Sequence, residues 1–289
     1  MSALAATAGD YLALSKPRII VLLLVTTLAA MVMAARGLPP LPLVAWTLVA
    51  GALASASAGA LNCVFDSDID AVMARTKHRP IPMGHIDEIS AALFAAICGI
   101  LSFLIFFVLV NPLAAWLSLA GNVFYVAVYT MWLKRRTPLN IVIGGAAGAV
   151  PPLVGWAAVT GNIGGPALGL FALIFLWTPP HFWSLALVSE TDYAKVNVPM
   201  LPNVAGEERT KREIIYYSLL LVAASLVLYP LHVMGALYAG GAAVLGGVFL
   251  LDALQTWRGK ARAARSLFRY SLLYLALMCA VMVIDRIVA

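Results

Sequence analysis

Asn62, Asp66 and Asp70 stand four residues apart in the stretch LNCVFDSDID, at the foot of a long apolar segment. Four-residue spacing stacks all three on one helical face and leaves Asp68 off it. Two carboxylates and an amide in that position are hard oxygen donors suited to Mg²⁺, which takes one or two carboxylates together with the oxygens of a bound phosphate. Arg75, Lys77, His78 and Arg79 follow within one short loop, where their charge can meet a polyanion. The chemistry this suggests is capture of a magnesium diphosphate, with Asp66 and Asp70 as metal ligands and Asn62, Arg75 and Arg79 beside the reacting group. A bare D-x-x-x-D is equally compatible with a solvated acidic loop, so the surrounding elements have to decide.

Those elements are membrane helices. Hydrophobic residues make up 63% of the 289 and charged residues 11%, against about 25% charged in soluble domains. Apolar runs of roughly 20 residues, long enough to cross a bilayer, lie near 19–35, 41–64, 89–110, 113–133, 139–160, 167–189, 214–234, 236–254 and 267–285. The expected fold is all-α: a polytopic membrane protein of about nine transmembrane helices, one domain over residues 1–289 with a short cytoplasmic segment at 1–15. With the N-terminus inside, every Lys and Arg except Arg36 and Arg286 falls on the inner side, which fixes a cytoplasmic N-terminus, cytoplasmic loops around the acidic residues and a periplasmic C-terminus. The net charge of +6 then reports topology and contact with the lipid bilayer, and calls for no nucleic acid. Residues 1–16 contain Asp10 and no Arg, and no short apolar stretch with a cleavage site, unlike a transit or signal peptide, so a bacterial inner (plasma) membrane is expected. Cys63, Cys98 and Cys279 have no metal-site spacing and read as packing residues.

A second inner loop, 190–212, carries Glu190, Asp192, Lys195, Glu207, Glu208, Arg209, Lys211 and Arg212 and can meet the first across the bundle, offering further metal or diphosphate ligands. Between the loops, residues 129–156 combine a basic helix end at Lys134 and Arg135, a small-residue face at Gly144, Gly145 and Gly148 for close helix packing, and Pro151-Pro152 inside a span, tolerated where freed carbonyls are buried or line a cavity.

From Asn62 the chain runs N-x-x-x-D-x-x-I-D-x-x-M-x-R-T-x-x-R-x-x-x-x-G to Gly84, which resembles the signature of the UbiA superfamily of intramembrane prenyltransferases. Tyr129-Thr130, Leu133-Lys134-Arg135, Asn140-Ile141-Val142, Pro151-Pro152-Leu153, Trp177-Thr178-Pro179-Pro180-His181-Phe182-Trp183, Asp192-Tyr193 and Val198-Pro199-Met200-Leu201-Pro202 are similar to the heme-modifying branch, the protoheme IX farnesyltransferase family, as is Lys16-Pro17-Arg18. A UbiA-type bundle whose central cavity opens toward the cytoplasm is implied. So is transfer of a farnesyl group from farnesyl diphosphate to the 2-vinyl group of heme B, with water added, giving heme O and diphosphate. Ubiquinone-type relatives carry a second D-x-x-x-D after helix six; here only Ser189, Glu190 and Asp192 stand there, which favours heme over an aromatic acceptor such as 4-hydroxybenzoate.

The resemblance assigns Mg²⁺ as cofactor, held by Asp66, Asp70 and Asp192, with heme B and farnesyl diphosphate as substrates. Lys77, His78, Tyr129, Lys134, Arg135 and Lys195 are expected to bind the diphosphate, and His181, Trp177 and Trp183 to face heme. Heme A synthase and terminal oxidase assembly factors are the protein partners implied. A transporter is the competing class, but transporters place charges and broken helices at mid-membrane, whereas these acidic residues collect at the inner face.

Overall fold

The computed structural model describes residues 7–259 and 262–288, with Glu190 described for its backbone alone. Among them there is no strand. The chain opens with α1 (Ala8–Ser15), started by a reciprocal cap in which Asp10 N donates to Thr7 Oγ1 and Thr7 N to the Asp10 carboxylate. Lys16 takes a left-handed conformation, φ 57°, and Pro17 fills the first position of α2 (Pro17–Ala35), where a missing N–H costs nothing. α3 (Leu41–Phe65) runs down to α4 (Ser67–Val72). α5 (Glu88–Ile105) and α6 (Pro112–Val123) start on Asp87 and Asn111 side-chain caps and widen into π-helical turns through Val110 and Trp132.

α7 (Asn140–Thr160) and α8 (Gly165–Val188) each hold an internal proline pair, Pro151-Pro152 and Pro179-Pro180. Short α9 (Glu190–Lys195) and α10 (Leu201–Ala205) lead to α11 (Glu207–Val227), α12 (Ala236–Trp257) and α13 (Ala263–Val288). Among the described residues eight helices are long and apolar enough to cross a membrane. The run expected at 214–234 is displaced to α11, which begins in the charged stretch EERTKRE. Glu207 and Glu208 lie in its first turn, where carboxylates suit the helix dipole, and both pair with Lys211. Pro230 lies just beyond its end and discourages helical backbone at Tyr229.

α2 packs on α3, α7 and α13, while α8 packs on α7, α11 and α13. The largest buried cluster joins Met33, Trp177, Trp183, Leu221, Tyr238, Phe249, Tyr274 and Met278 with Ile69 and Met73 beneath the first acidic loop and Tyr193, Val198 and Met200 of the second. Both acidic loops thus rest on one apolar body. Gly144, Gly145 and Gly155 let helices approach: a Cβ there would lie 2.2 Å from the Tyr129 ring, 2.9 Å from Thr178 and 2.3 Å from the Thr27 carbonyl oxygen. Gly148, expected on that packing face, has open space instead. Leu93, Ile97, Val108, Trp116, Val244 and Leu251 face outward, as lipid contact requires. All three cysteines are free and buried.

Candidate active site

The backbone breaks from α3 into α4 at Asp66, yet Asp66 N still bonds the Asn62 carbonyl at 3.0 Å and Asp70 N the Asp66 carbonyl at 2.8 Å. The four-residue register therefore passes through the break and keeps Asn62, Asp66 and Asp70 together. Their side chains are buried, Asp66 and Asp70 with 1% and 2% of their surface exposed. Buried carboxylates need partners, and each has a cation: Lys134 Nζ lies 2.5 Å from Asp66 Oδ2, and Arg79 Nη1 2.5 Å from Asp70 Oδ2.

Asn62 is oriented by its neighbours. Its amide nitrogen donates to Asp66 Oδ2 at 2.7 Å and to Thr130 Oγ1 at 3.1 Å, and its carbonyl accepts from Lys16 Nζ. The sequence offered Asn62 as an oxygen donor for metal; the structure turns that oxygen to Lys16 and the N–H to Asp66. Lys16 and Thr130 join the site without having been singled out for it. Burial pulls the Lys16 ammonium down to about 8, so it remains mostly protonated at neutral pH. Burial also pulls against the Arg79 charge, but Asp70 beside it more than offsets this and raises it.

Asp68 behaves as its spacing predicts. It points to solvent, with 64% of its side chain exposed, where a two-pronged contact from Arg135 at 2.8 and 2.7 Å holds its carboxyl below the usual range. Arg135 also donates to the Phe65 carbonyl at 2.8 Å and stands 3.9 Å from Asp66 Oδ1. It is committed to the outer rim. Arg75, Lys77 and His78 are exposed on the loop above. Tyr129 stacks on Tyr125 at 5.4 Å. Asp192 and Lys195 sit on α9 and pair with each other at 3.6 Å; α9 packs on α8 and α10.

Deeper in α8, His181 and Trp183 are buried. The His181 ring lies between Trp177 and Phe268, at 4.3 and 4.9 Å, and Trp183 meets Tyr217 edge-on at 5.4 Å.

Asp66 Oδ1 is the fit test for a metal. It is buried and accepts no hydrogen bond, a costly state for a carboxylate oxygen that a cation relieves. No group of three His, Cys, Asp or Glu able to hold a metal occurs among the described residues, so Mg²⁺ at the two carboxylates would need oxygens of a bound phosphate to complete its ligands. The arrangement is a cluster of two buried carboxylates and three part-buried cations, Lys16, Arg79 and Lys134, at one end of an apolar helical bundle.

Residues 23–278 match the UbiA prenyltransferase family, and the chain belongs to that family. Among curated relatives, the protoheme IX farnesyltransferase of Synechocystis is 55% identical over 98% of this chain and 90% of its own. That of Rippkaea orientalis is 53% identical over 96% and 87%. The fold is also that of a solved digeranylgeranylglyceryl phosphate synthase, with a TM-score of 0.80 and 18% identity, covering 97% of this chain and 99% of that one. A UbiA homolog from Archaeoglobus fulgidus bound to GPP and Mg²⁺ gives a TM-score of 0.65 at 17% identity, covering 94% and 99%.

Proposed function

We propose that this chain is an integral-membrane enzyme that transfers the farnesyl group of farnesyl diphosphate to the 2-vinyl group of heme B, with addition of water, giving heme O and diphosphate. The observation that carries this is identity above 50% to protoheme IX farnesyltransferases along nearly the whole chain. The largely buried acidic and basic cluster supplies the physical reason the chemistry suits these residues.

Farnesyl C1 parts from oxygen, and the electron pair leaves with diphosphate. C1 then bonds the outer carbon of the vinyl group, the inner carbon takes hydroxyl from water, and the second water proton is released. Charge grows on the departing diphosphate, so cations already fixed nearby lower the barrier. Lys16, Lys134 and Arg79 lie part-buried beside the carboxylates, and exposed Arg75, Lys77, His78 and Arg135, with Lys195 of the second loop, draw the anion in. Asp66 and Asp70 would hold Mg²⁺, which when bound supplies further positive charge to the leaving group; Asp192 is a candidate for a second ion. Buried Asn62 and Thr130 fix the Asp66 carboxylate. Tyr125 and Tyr129 wall the path of the allylic cation, whose charge an aromatic face stabilises. Trp177, His181 and Trp183 form the heme-facing wall. The charge bias supports a cytoplasmic side for these residues in a bacterial inner membrane, with heme A synthase or terminal oxidase assembly factors as takers of the product.

The test is an extract assay in which membranes containing the chain receive heme B, farnesyl diphosphate and Mg²⁺, and products are weighed by mass spectrometry. Farnesylated, hydrated heme is expected. Prenylated 4-hydroxybenzoate in a parallel reaction, with no heme product, would overturn the assignment.

A further inference from the structure

His181 has an environment that fixes its chemistry. Its Nδ1 lies 2.7 Å from Ser271 Oγ, and that hydroxyl lies 2.7 Å from the Phe268 carbonyl. A carbonyl only accepts, so the single hydroxyl proton of Ser271 goes to Phe268, and Ser271 can only accept from His181. Nδ1 therefore carries the proton. In a neutral ring the lone pair then belongs to Nε2.

Among the described residues no side chain or backbone group is hydrogen-bonded to that lone pair. The residue is buried, with 7% of its surface exposed, and Nε2 is not among the polar atoms fully enclosed without a partner, so it keeps a way out to a ligand. The ring cannot turn to find a partner in the protein. Trp177 stacks on it with planes 15° apart and Phe268 with planes 22° apart. Ser271 is itself wholly buried, and its carbonyl accepts from Trp177 Nε1 at 2.8 Å, so α8 and α13 are joined at this one residue. A neutral imidazole, locked by stacking, with Nδ1–H donated to an oxygen and Nε2 bare, is how histidine is prepared to ligate a metal.

We infer that His181 Nε2 is the axial ligand to the iron of the heme substrate, and that Ser271 is the positioning residue that sets its tautomer. The inference rests on the heme reading above and adds the atom that binds and a residue on α13 that no sequence motif marked. Binding makes one iron–nitrogen bond and breaks none in the protein; a water or buffer ligand on the iron is released. No proton moves, because Nδ1 already holds it.

Two porphyrins separate ligation from packing. Purified protein in detergent is titrated with heme B and, in parallel, with metal-free protoporphyrin IX, which has the same shape and propionates but no iron. Wild-type protein should bind heme more tightly, with a shifted Soret band. His181→Ala should lower heme affinity to that of the metal-free porphyrin and leave the latter unchanged, and added imidazole should restore the shift in His181→Gly. Ser271→Ala should weaken heme binding by about tenfold, the usual effect of losing the partner of a ligating histidine, and Ser271→Thr should recover it. Equal losses for both porphyrins in His181→Ala, or unchanged heme binding, would overturn the inference. If farnesylated heme still forms in the extract assay, that failure leaves the proposed activity standing; if the wild-type chain neither binds heme nor makes product, both fall together.

Discussion

Replacing Lys134 by Met removes the ammonium from Asp66 while keeping an apolar stem of similar length. In the folded protein Asp66 is 1% exposed and Lys134 15%, so the pair is largely desolvated. Removing one member of a buried pair costs about 3–5 kcal/mol, because a charge is left behind. Asn62 still donates to Asp66 at 2.7 Å and Arg135 remains 3.9 Å away, which places the expected loss near the lower bound. About 3 kcal/mol corresponds to roughly a hundredfold shift in the folding equilibrium. The double variant Asp66→Asn/Lys134→Met leaves no unpaired charge and should fall within about 1 kcal/mol of the parent. The assay is unfolding in mixed micelles, followed by near-ultraviolet circular dichroism, with EDTA and then with Mg²⁺. Mg²⁺ should restore Lys134→Met, since a cation reaches the orphaned carboxylate, and should not restore the double variant. A single variant as stable as the parent in EDTA, or equal rescue of both, would refute the reasoning.

Asp66→Ala and Asp70→Ala should abolish farnesyl transfer, whereas Asp68→Ala, losing only an exposed ion pair worth at most about 1 kcal/mol, should keep activity within about fivefold; equal loss in all three would contradict the facial arrangement. Gly144→Ala and Gly155→Ala should each lower stability by about 1–3 kcal/mol through overpacking, with Gly155 the worse because its neighbour is backbone, while Gly148→Ala should melt at or above the parent temperature. The His85 ring 3.0 Å away, with help from Thr7, holds Asp10 at about 2 against an ordinary 3.8. A carboxylate depressed in the folded state stabilises above its ordinary value and ceases to as pH falls, so hydrogen-exchange protection of α1 should drop between roughly pH 4 and 2. Protection unchanged across that window would contradict this.

Local features were legible in the sequence where one residue's neighbours along the chain decide them. Four-residue spacing carried Asn62, Asp66 and Asp70 onto one face and Asp68 off it, and apolar length located most of the long helices. Contacts between distant segments were less so. Thr130 and Lys134 reach Asn62 and Asp66 across 68 residues, and Lys16 arrives through a left-handed turn that periodicity does not report. The basic residues looked interchangeable as a cluster, yet Arg79 and Lys134 are sunk against carboxylates, Arg135 is held at the rim by Asp68, and Arg75 and Lys77 stay in water. The α11 boundary was missed because hydropathy rejects charged turns that a helix accepts through i,i+3 and i,i+4 pairing. Ser271 gave no signal at all, since a serine inside an apolar span looks like filler.

The buried ion pairs bear on the order in which reactants arrive. With Lys134 on Asp66 Oδ2 and Arg79 on Asp70 Oδ2, the net charge of each carboxylate is already matched, so a lone divalent ion is drawn only by the unpartnered Asp66 Oδ1. A diphosphate bound there would change the balance, drawing the two cations toward its own oxygens and freeing the carboxylates in the same exchange. Metal and prenyl donor are therefore expected to bind as one complex, with turnover tracking the concentration of magnesium diphosphate ester rather than of free magnesium. On departure of the product diphosphate, the displaced lysine and arginine would have a ready place to return to, resetting the site for the next cycle.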